Sequence, residues 1–352
     1  MKDVILHVGH GKTGSSYLQS FLSLNKGRLA EMGIYYPHHP SFREAKAGRI
    51  TSGNGAHLMR AGYAIKDDQT SLFSSEFLFH SLLERDLLQR KVLDKSDRVR
   101  VIVYTRNVME MLASTWGQHV KRGGETRSFD QYLREADIPH FRALLTWFLK
   151  SRTHGFDIVA RNYSVHREEV VQDFMNTLMD APDFFALHQD LFAFPQVKTI
   201  NRSMTEFEYA FLRIMNRSAP KLGKQISDAW VNQLPDIASE PPKVAADTFE
   251  SMRDRYLPVI EDINSHLPSE EAICFGDEAD FVYPAGVTAG VTDPQVEIVS
   301  KAFEDVFANT VEAIRSFDPQ RYLDLHPDVA DTGMNPYEHY MRYGFNKGRK
   351  LR

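Results

Sequence analysis

VILHVGHGKTGSSYLQSF, residues 4–21, carries the reading from which the rest of the chain follows. Val4 to Val8 is a short apolar run of the kind that forms a buried strand. Gly9 to Gly14 is loop. Tyr17, Leu18, Phe21 and Leu22 then recur at helical spacing, so a helix begins near Gly14 or Ser15. A strand that passes through a glycine loop into a helix aims unpaired N–H groups and the positive end of the helix dipole at one point, where anions bind. Gly9, Gly11 and Gly14 let the backbone approach such an anion closely. Lys12 adds a cation, and Thr13, Ser15 and Ser16 add hydroxyl donors. A plain glycine turn before a capped helix is the simpler reading, but capping alone has no need of a lysine among small polar residues. The stretch is not a Walker A loop, which sets four residues between its first glycine and its Gly-Lys-Ser/Thr ending. Nor is it the dinucleotide fingerprint, which has no lysine and wants an acidic residue about 20 positions further on.

Working outward, strands and helices alternate. GIYY (33–36) reads as a second strand, closed by Pro37. Residues 38–70 are polar loop with a helix near His57 to Ala64. SLFSSE (71–76) is a strand with a polar tip, and 80–93 is helical. VRVIVYTRN (99–107) is the strongest strand signal in the chain. Helices over 108–121 and 139–151, a strand at DIVA (157–160) and an amphipathic helix over 168–179 follow. Such alternation implies a parallel sheet covered on both faces. After Asn201 the pattern turns helical, with Phe207, Phe211, Leu212 and Met215 on one face, and 234–243 is a surface loop. The expectation is a three-layer, P-loop-like α/β fold with a central parallel sheet flanked by helices, plus a small helical C-terminal module. The division expected is 1–276 for the main domain, 277–297 for a linker or extended crossing, and 298–352 for the module.

The chain has 352 residues and a formal net charge of −5, so no global basic field marks a nucleic-acid binder. It has one cysteine, Cys274, which excludes an intrachain disulfide and a cysteine-based zinc site. The apolar run at the N-terminus is too short for a signal peptide, and no stretch of about 18 apolar residues suggests a membrane span. A cytoplasmic protein is the expectation. Oligomeric state is not readable.

HVGHGKTGSSYLQ resembles the 5'-phosphosulfate loop of sulfotransferases that use 3'-phosphoadenosine-5'-phosphosulfate (PAPS), especially their bacterial and carbohydrate-acting branches. The resemblance implies that Lys12 contacts the transferring group and the leaving oxygen, and that Gly11, Thr13, Gly14, Ser15 and Ser16 hold the 5'-phosphate. Family members usually have threonine where Ser16 stands. IVYTRNVMEMLASTWGQHV (102–120) is a second match: Arg106 ends the strongest strand and Ser114 follows eight residues later. In the family, an arginine and a serine so spaced bind the 3'-phosphate. Arginine suits phosphate because its planar fork donates two parallel hydrogen bonds. The strand ends in Thr105-Arg106, where a magnesium-dependent ATPase would be expected to carry an acidic residue. The Lys/Arg–Gly loop with which cytosolic members clamp the 3'-phosphate has no clear counterpart.

Sulfuryl transfer needs a base within hydrogen-bond reach of the acceptor hydroxyl. Glu76, at the tip of SLFSSE, is the candidate that the carbohydrate-acting branch favours, and His57, in GNGAHL, is the rival. A helix cap or an arginine partner is the plainer role for Glu76, and a loop histidine the plainer role for His57. His7 alternates within its strand and reads as packed. Ser74 and Ser75 are candidates for touching acceptor or nucleotide. Tyr163, in RNYS, stands where the family often has a tyrosine near the adenine, and reads equally as a core tyrosine. Asn201-Arg202-Ser203 resembles a segment of bacterial members and has no assigned role.

SFDPQRYLDLHPDVADTGMNPYEHYMRYGFNKGRKLR (316–352) resembles a short module at the ends of some bacterial glycan-modifying proteins. Its aromatic residues Phe317, Tyr322, Tyr337, Tyr340, Tyr343 and Phe345 are either a carbohydrate platform or the core of a small helical hairpin. The reaction implied is PAPS plus an acceptor hydroxyl, on a carbohydrate, glycolipid or small molecule, giving a sulfate ester and 3'-phosphoadenosine-5'-phosphate (PAP), with no metal required. A P-loop kinase and a non-catalytic glycan-binding protein are the alternatives.

Overall fold

The structure is a computed structural model and describes residues 3–9, 12–39, 41–47, 53–60, 63, 65, 69–79, 96–135, 140–153, 155–196 and 202–283. Beyond these it describes 295, 298–299, 301–303, 305–306, 308, 315, 317–345 and 347–350. The expected helix at 80–93, His10, Gly11, Asn201 and most of 277–297 lie outside the described residues.

Five strands form one sheet: β1 (Asp3–Gly9), β2 (Ile34–Tyr35), β3 (Thr70–Ser74), β4 (Arg98–Thr105) and β5 (Asp157–Asn162). Their order is β2-β3-β1-β4-β5, and every pairing is parallel. β1 is central and pairs with both β3 and β4. Its apolar run is continuous because both faces are covered. On one face Ile5, Leu72, Ile102 and Tyr104 form a core with Leu18, Phe21 and Leu22 of α1 (Ser15–Leu24) and with Val171, Phe174 and Met175 further along the chain. Leu6, Val8, Phe73, Val101 and Val103 alternate to the other face and are also buried. This is the three-layer α/β fold expected, with a central parallel sheet flanked by helices.

β2 is only two residues long, so among the described residues Leu72 to Ser74 of β3 have no partner strand on that side. Asn54 fills the gap. Its side-chain amide donates to the Leu72 carbonyl (3.0 Å) and accepts from the Ser74 N–H (2.7 Å). Its own N–H donates to the Ser74 carbonyl (3.1 Å). One asparagine thus reproduces a rung of a parallel ladder. The sequence placed a helix near His57 to Ala64; the structure has a tight 3₁₀ turn at Gly55–Met59.

The chain divides into two compact units, the first comprising residues 1–116, 129–203 and 238–287. The second comprises 117–128, 204–237 and 288–352. In the second, Thr205 and Glu208 cap the helix Glu206–Ser218 reciprocally. Tyr209, Leu212 and Asn216 give that helix its buried face, and Asn216 donates to the carbonyls of Val120 (2.8 Å) and Glu125 (3.0 Å). Near the C-terminus, three short helices each begin with a proline at 319, 327 and 336. Proline fits the first helical turn, where its missing N–H would have no partner anyway. The Asp318 side chain caps the first of them and Asn335 the last. Tyr322, Val329 and Tyr340 make the core there, with Phe317 and Phe345 packed on it, whereas Tyr337 and Tyr343 are exposed. Most of the aromatic set is therefore core.

Candidate active site

β3, β1, β4 and β5 are neighbours in the sheet, and each delivers a candidate residue just past its carboxyl end. β1 leads into the loop 12–14, β3 into Glu76, β4 into Arg106 and β5 into Tyr163. The connections leaving β1 and β4 run to opposite sides of the sheet, which makes the crevice between these two strand ends a switch point, where open α/β folds bind ligands.

The loop after β1 combines left-handed backbone with buried hydroxyls at the start of a helix. Gly14, the residue before α1, lies at φ 72°, and Lys12 lies at φ 58°, a left-handed conformation unfavourable for a side-chain-bearing residue. Among the described residues no side chain caps α1, and its first turn holds no acidic residue. The hydroxyls of Thr13 and Ser15 are buried and have no hydrogen-bond partner among the described residues. Buried hydroxyls ordinarily find a partner, and leaving them without one is costly. Ser16 is half-buried.

Gly9 lets the loop close over the strand end. A Cβ there would lie 2.6 Å from Ser15 Oγ, 2.8 Å from Thr13 Oγ1 and 3.3 Å from Glu76 Cγ. These distances place Glu76 beside the two hydroxyls. Glu76 is exposed, at the start of the turn that follows β3. The neighbouring serines are engaged elsewhere. Ser74 Oγ pairs with His7 Nδ1 (2.8 Å), and Ser75 Oγ accepts from the Phe77 N–H (3.2 Å). His7 is buried in the sheet between Tyr104 and Phe174, and burial pushes its pKa down to about 3. It is a neutral packing residue.

Arg106 reaches back across the crevice. Its Nη1 donates to the Lys12 carbonyl (2.7 Å) and its Nε to Glu110 (3.1 Å). Its guanidinium carbon lies 5.4 Å from the centre of the Tyr163 ring, a cation–π contact. Tyr163 in turn packs on Gly14, where a Cβ would meet the ring at 2.6 Å. Burial raises the Tyr163 phenol pKa, against an opposing pull from Arg106. Lys12, Gly14, Arg106 and Tyr163 therefore form one contiguous group. Ser114 lies on the helix Val108–Gln118, one turn beyond Glu110 on the same face, and is half-buried.

His57 keeps different company. Its Nε2 donates to the His38 carbonyl (2.5 Å), its ring stacks on Tyr63 at 5.2 Å, and its buried Nδ1 has no partner among the described residues.

Sequence reasoning missed Glu110 and Ser164. Glu110 accepts from both Arg106 and Ser164 Oγ (3.1 Å), and Ser164 Oγ accepts from the Asn107 N–H (3.0 Å). Glu110 follows Arg106 by four residues, a spacing that suits an ion pair and was the one available signal. Among the described residues no cluster of histidine, cysteine, aspartate and glutamate suits a metal ion, and no helix is long and apolar enough to cross a membrane.

No family model matches the sequence, and no curated protein matches it. Among solved structures, a sulfotransferase from Alicyclobacillus acidocaldarius aligns over 76% of this chain and 97% of its own, with 14% identity and a TM-score of 0.37.

Proposed function

We propose that this protein is a PAPS-dependent sulfotransferase that transfers a sulfuryl group to an acceptor hydroxyl, with a carbohydrate as the favoured acceptor class. The observation that carries the reading is the approach of the end of β4 to the loop leaving β1: Arg106 donates to the backbone carbonyl of Lys12, beside a helix start without a side-chain cap and two buried hydroxyls that have no hydrogen-bond partner among the described residues. A nucleotide with phosphate at both its 3' and 5' positions needs two anion sites joined by a surface for its base.

The residues fit such a molecule. Thr13, Gly14, Ser15 and Ser16 would hold the 5'-phosphate at the start of α1, where the orphan hydroxyls gain acceptors. Arg106 and Ser114 would hold the 3'-phosphate, and Tyr163 would lie against the adenine. Gly11 extends the loop by sequence alone. The strained backbone at Lys12 supports a functional role, because such strain persists where the surroundings over-determine it.

In the reaction, the acceptor oxygen attacks sulfur in line with the departing phosphate oxygen. Glu76 takes the acceptor's proton, since it stands beside Ser15 and Thr13 at the loop. The S–O bond to the phosphate breaks, its electron pair stays on PAP, and Lys12 with the α1 N–H groups stabilises that charge. His57 is the second candidate base, held by His38 and Tyr63.

A thermal-shift comparison tests the reading: PAP stabilises the protein and ATP with magnesium does not. The reverse result would favour a kinase. Transfer of label from radioactive PAPS to a panel of bacterial glycans then reads the acceptor.

A further inference from the structure

A distant segment fastens the two strand ends that carry Arg106 and Tyr163. Residues 271–276 cross the carboxyl edge of the sheet at β5 and then β4. Glu271 is fully buried, and its Oε2 accepts from the main-chain N–H of Asn162, the last residue of β5 (2.6 Å). β5 is an edge strand, so an outward N–H has no strand to bond, and Glu271 supplies the acceptor. Its Oε1 pairs with Arg161 Nη1 (2.6 Å) and with His166 Nε2 (2.9 Å). The Ala272 carbonyl accepts from the Asn162 side chain (2.8 Å), and the Cys274 N–H donates to Asn107 Oδ1 (3.0 Å). The carbonyls of Cys274 and Phe275 accept from the first N–H groups of the helix after β4, at Val108 (3.0 Å) and Met109 (2.8 Å).

Asp173 completes the assembly from the other side. It accepts from the Tyr104 hydroxyl (2.5 Å) and from Arg161 Nε (2.9 Å). Arg161 thus lies between two buried carboxylates, one of them Glu271. Asn162 passes the constraint forward: its side chain accepts from the Ser164 N–H (3.0 Å) and starts the helical turn Tyr163–His166. Tyr163, the next residue, is the ring held between Gly14 and Arg106.

We propose that Glu271 is a positioning residue for the nucleotide site. It fixes the turn after β5 through Asn162, and so sets where the Tyr163 ring stands beneath Arg106. The proposal rests on the function given above. Glu271→Gln is the sharpest probe: an amide has one acceptor oxygen, so it cannot serve Asn162 together with Arg161 and His166. Its NH₂ group would also face the guanidinium.

The experiment is a double-mutant cycle read by calorimetric titration with PAP. Glu271→Gln alone weakens PAP about tenfold and raises KM for PAPS while leaving kcat within about twofold. In a Tyr163→Ala background the same change costs less than about twofold, because the ring it positions is gone. Multiplying effects in the double variant, or unaltered PAP affinity in Glu271→Gln, would overturn the proposal. If Glu271→Gln lacks a thermal unfolding transition, Asn162→Ala replaces it in the same cycle with the same two outcomes. Wild-type protein that does not bind PAP overturns the function and this inference together. Wild-type binding that Arg106→Ala abolishes and Glu271→Gln leaves intact overturns the positioning role alone.

Discussion

Arg106 Nη1 and the carbonyl oxygen of Lys12 are joined by a 2.7 Å hydrogen bond, which ties the end of β4 to the loop leaving β1. Under the proposed function Arg106 has two tasks, holding the loop and meeting an anion. A lysine could reach one of these partners but lacks the planar fork for both. Arg106→Ala is expected to weaken PAP about 10- to 100-fold, the worth of one or two charge-assisted hydrogen bonds, with Arg106→Lys recovering little of it. Isothermal titration checks both variants.

Glu76 and Lys12 are expected to separate in kinetics from Arg106. Glu76→Gln should lower kcat by ~10²–10⁴, the usual contribution of a positioned base, and leave PAP affinity nearly unchanged. Full turnover by that variant would transfer the role to His57, whose own replacement then becomes the decisive assay.

Lys12 carries strain as well as charge. Lys12→Gly removes a side chain from a left-handed position, so its Tm should not fall below that of the parent. Its kcat should still drop by ~10²–10³, the scale for losing one stabiliser of developing negative charge. Differential scanning calorimetry and steady-state rates on one preparation give both numbers.

Gly9 is expected to tolerate no side chain. Its Cβ would stand 2.6 Å from Ser15 Oγ and 2.8 Å from Thr13 Oγ1, so the loop must move to admit it. Gly9→Ala should cost about 1–3 kcal/mol of stability and abolish PAP binding. Denaturant unfolding and titration read the two effects separately.

His7 gives the fold a pH dependence of definite sign. Its pKa is about 3 when folded and 6.5 when free, so the unfolded chain binds the proton more tightly. The stability is fully present above pH 6.5 and is lost progressively as pH falls towards 3. Between pH 7 and pH 5 the loss from this residue is about 2 kcal/mol. His7→Gln should flatten that part of a stability–pH curve measured by urea unfolding.

The sequence announced what is local and hid what is not. The loop after β1 was readable because strand, glycines, lysine and hydroxyls are consecutive. Arg106 was readable because it ends the most apolar strand, and Glu76 because a serine pair marks where β3 stops. Glu271 follows Asn162 by 109 residues, and Glu110 and Ser164 meet only once two strand ends are neighbours. No periodicity records such pairings. The helix read near His57 to Ala64 begins instead as a 3₁₀ turn over Gly55–Met59, with residues 61, 62 and 64 outside the described residues, and the hydrogen bonds that fix the turn belong to Asn54.

That asparagine also bears on how the protein behaves in a crowded solution. Strand edges with free hydrogen-bonding groups recruit other chains, and proteins guard them with care. Here the guard at Leu72 to Ser74 is a single amide rather than a strand, a lysine or a proline. Asn54→Ala would bare the backbone groups of Leu72 to Ser74 on either side of Phe73, and the first symptom would be precipitation during expression rather than lost turnover.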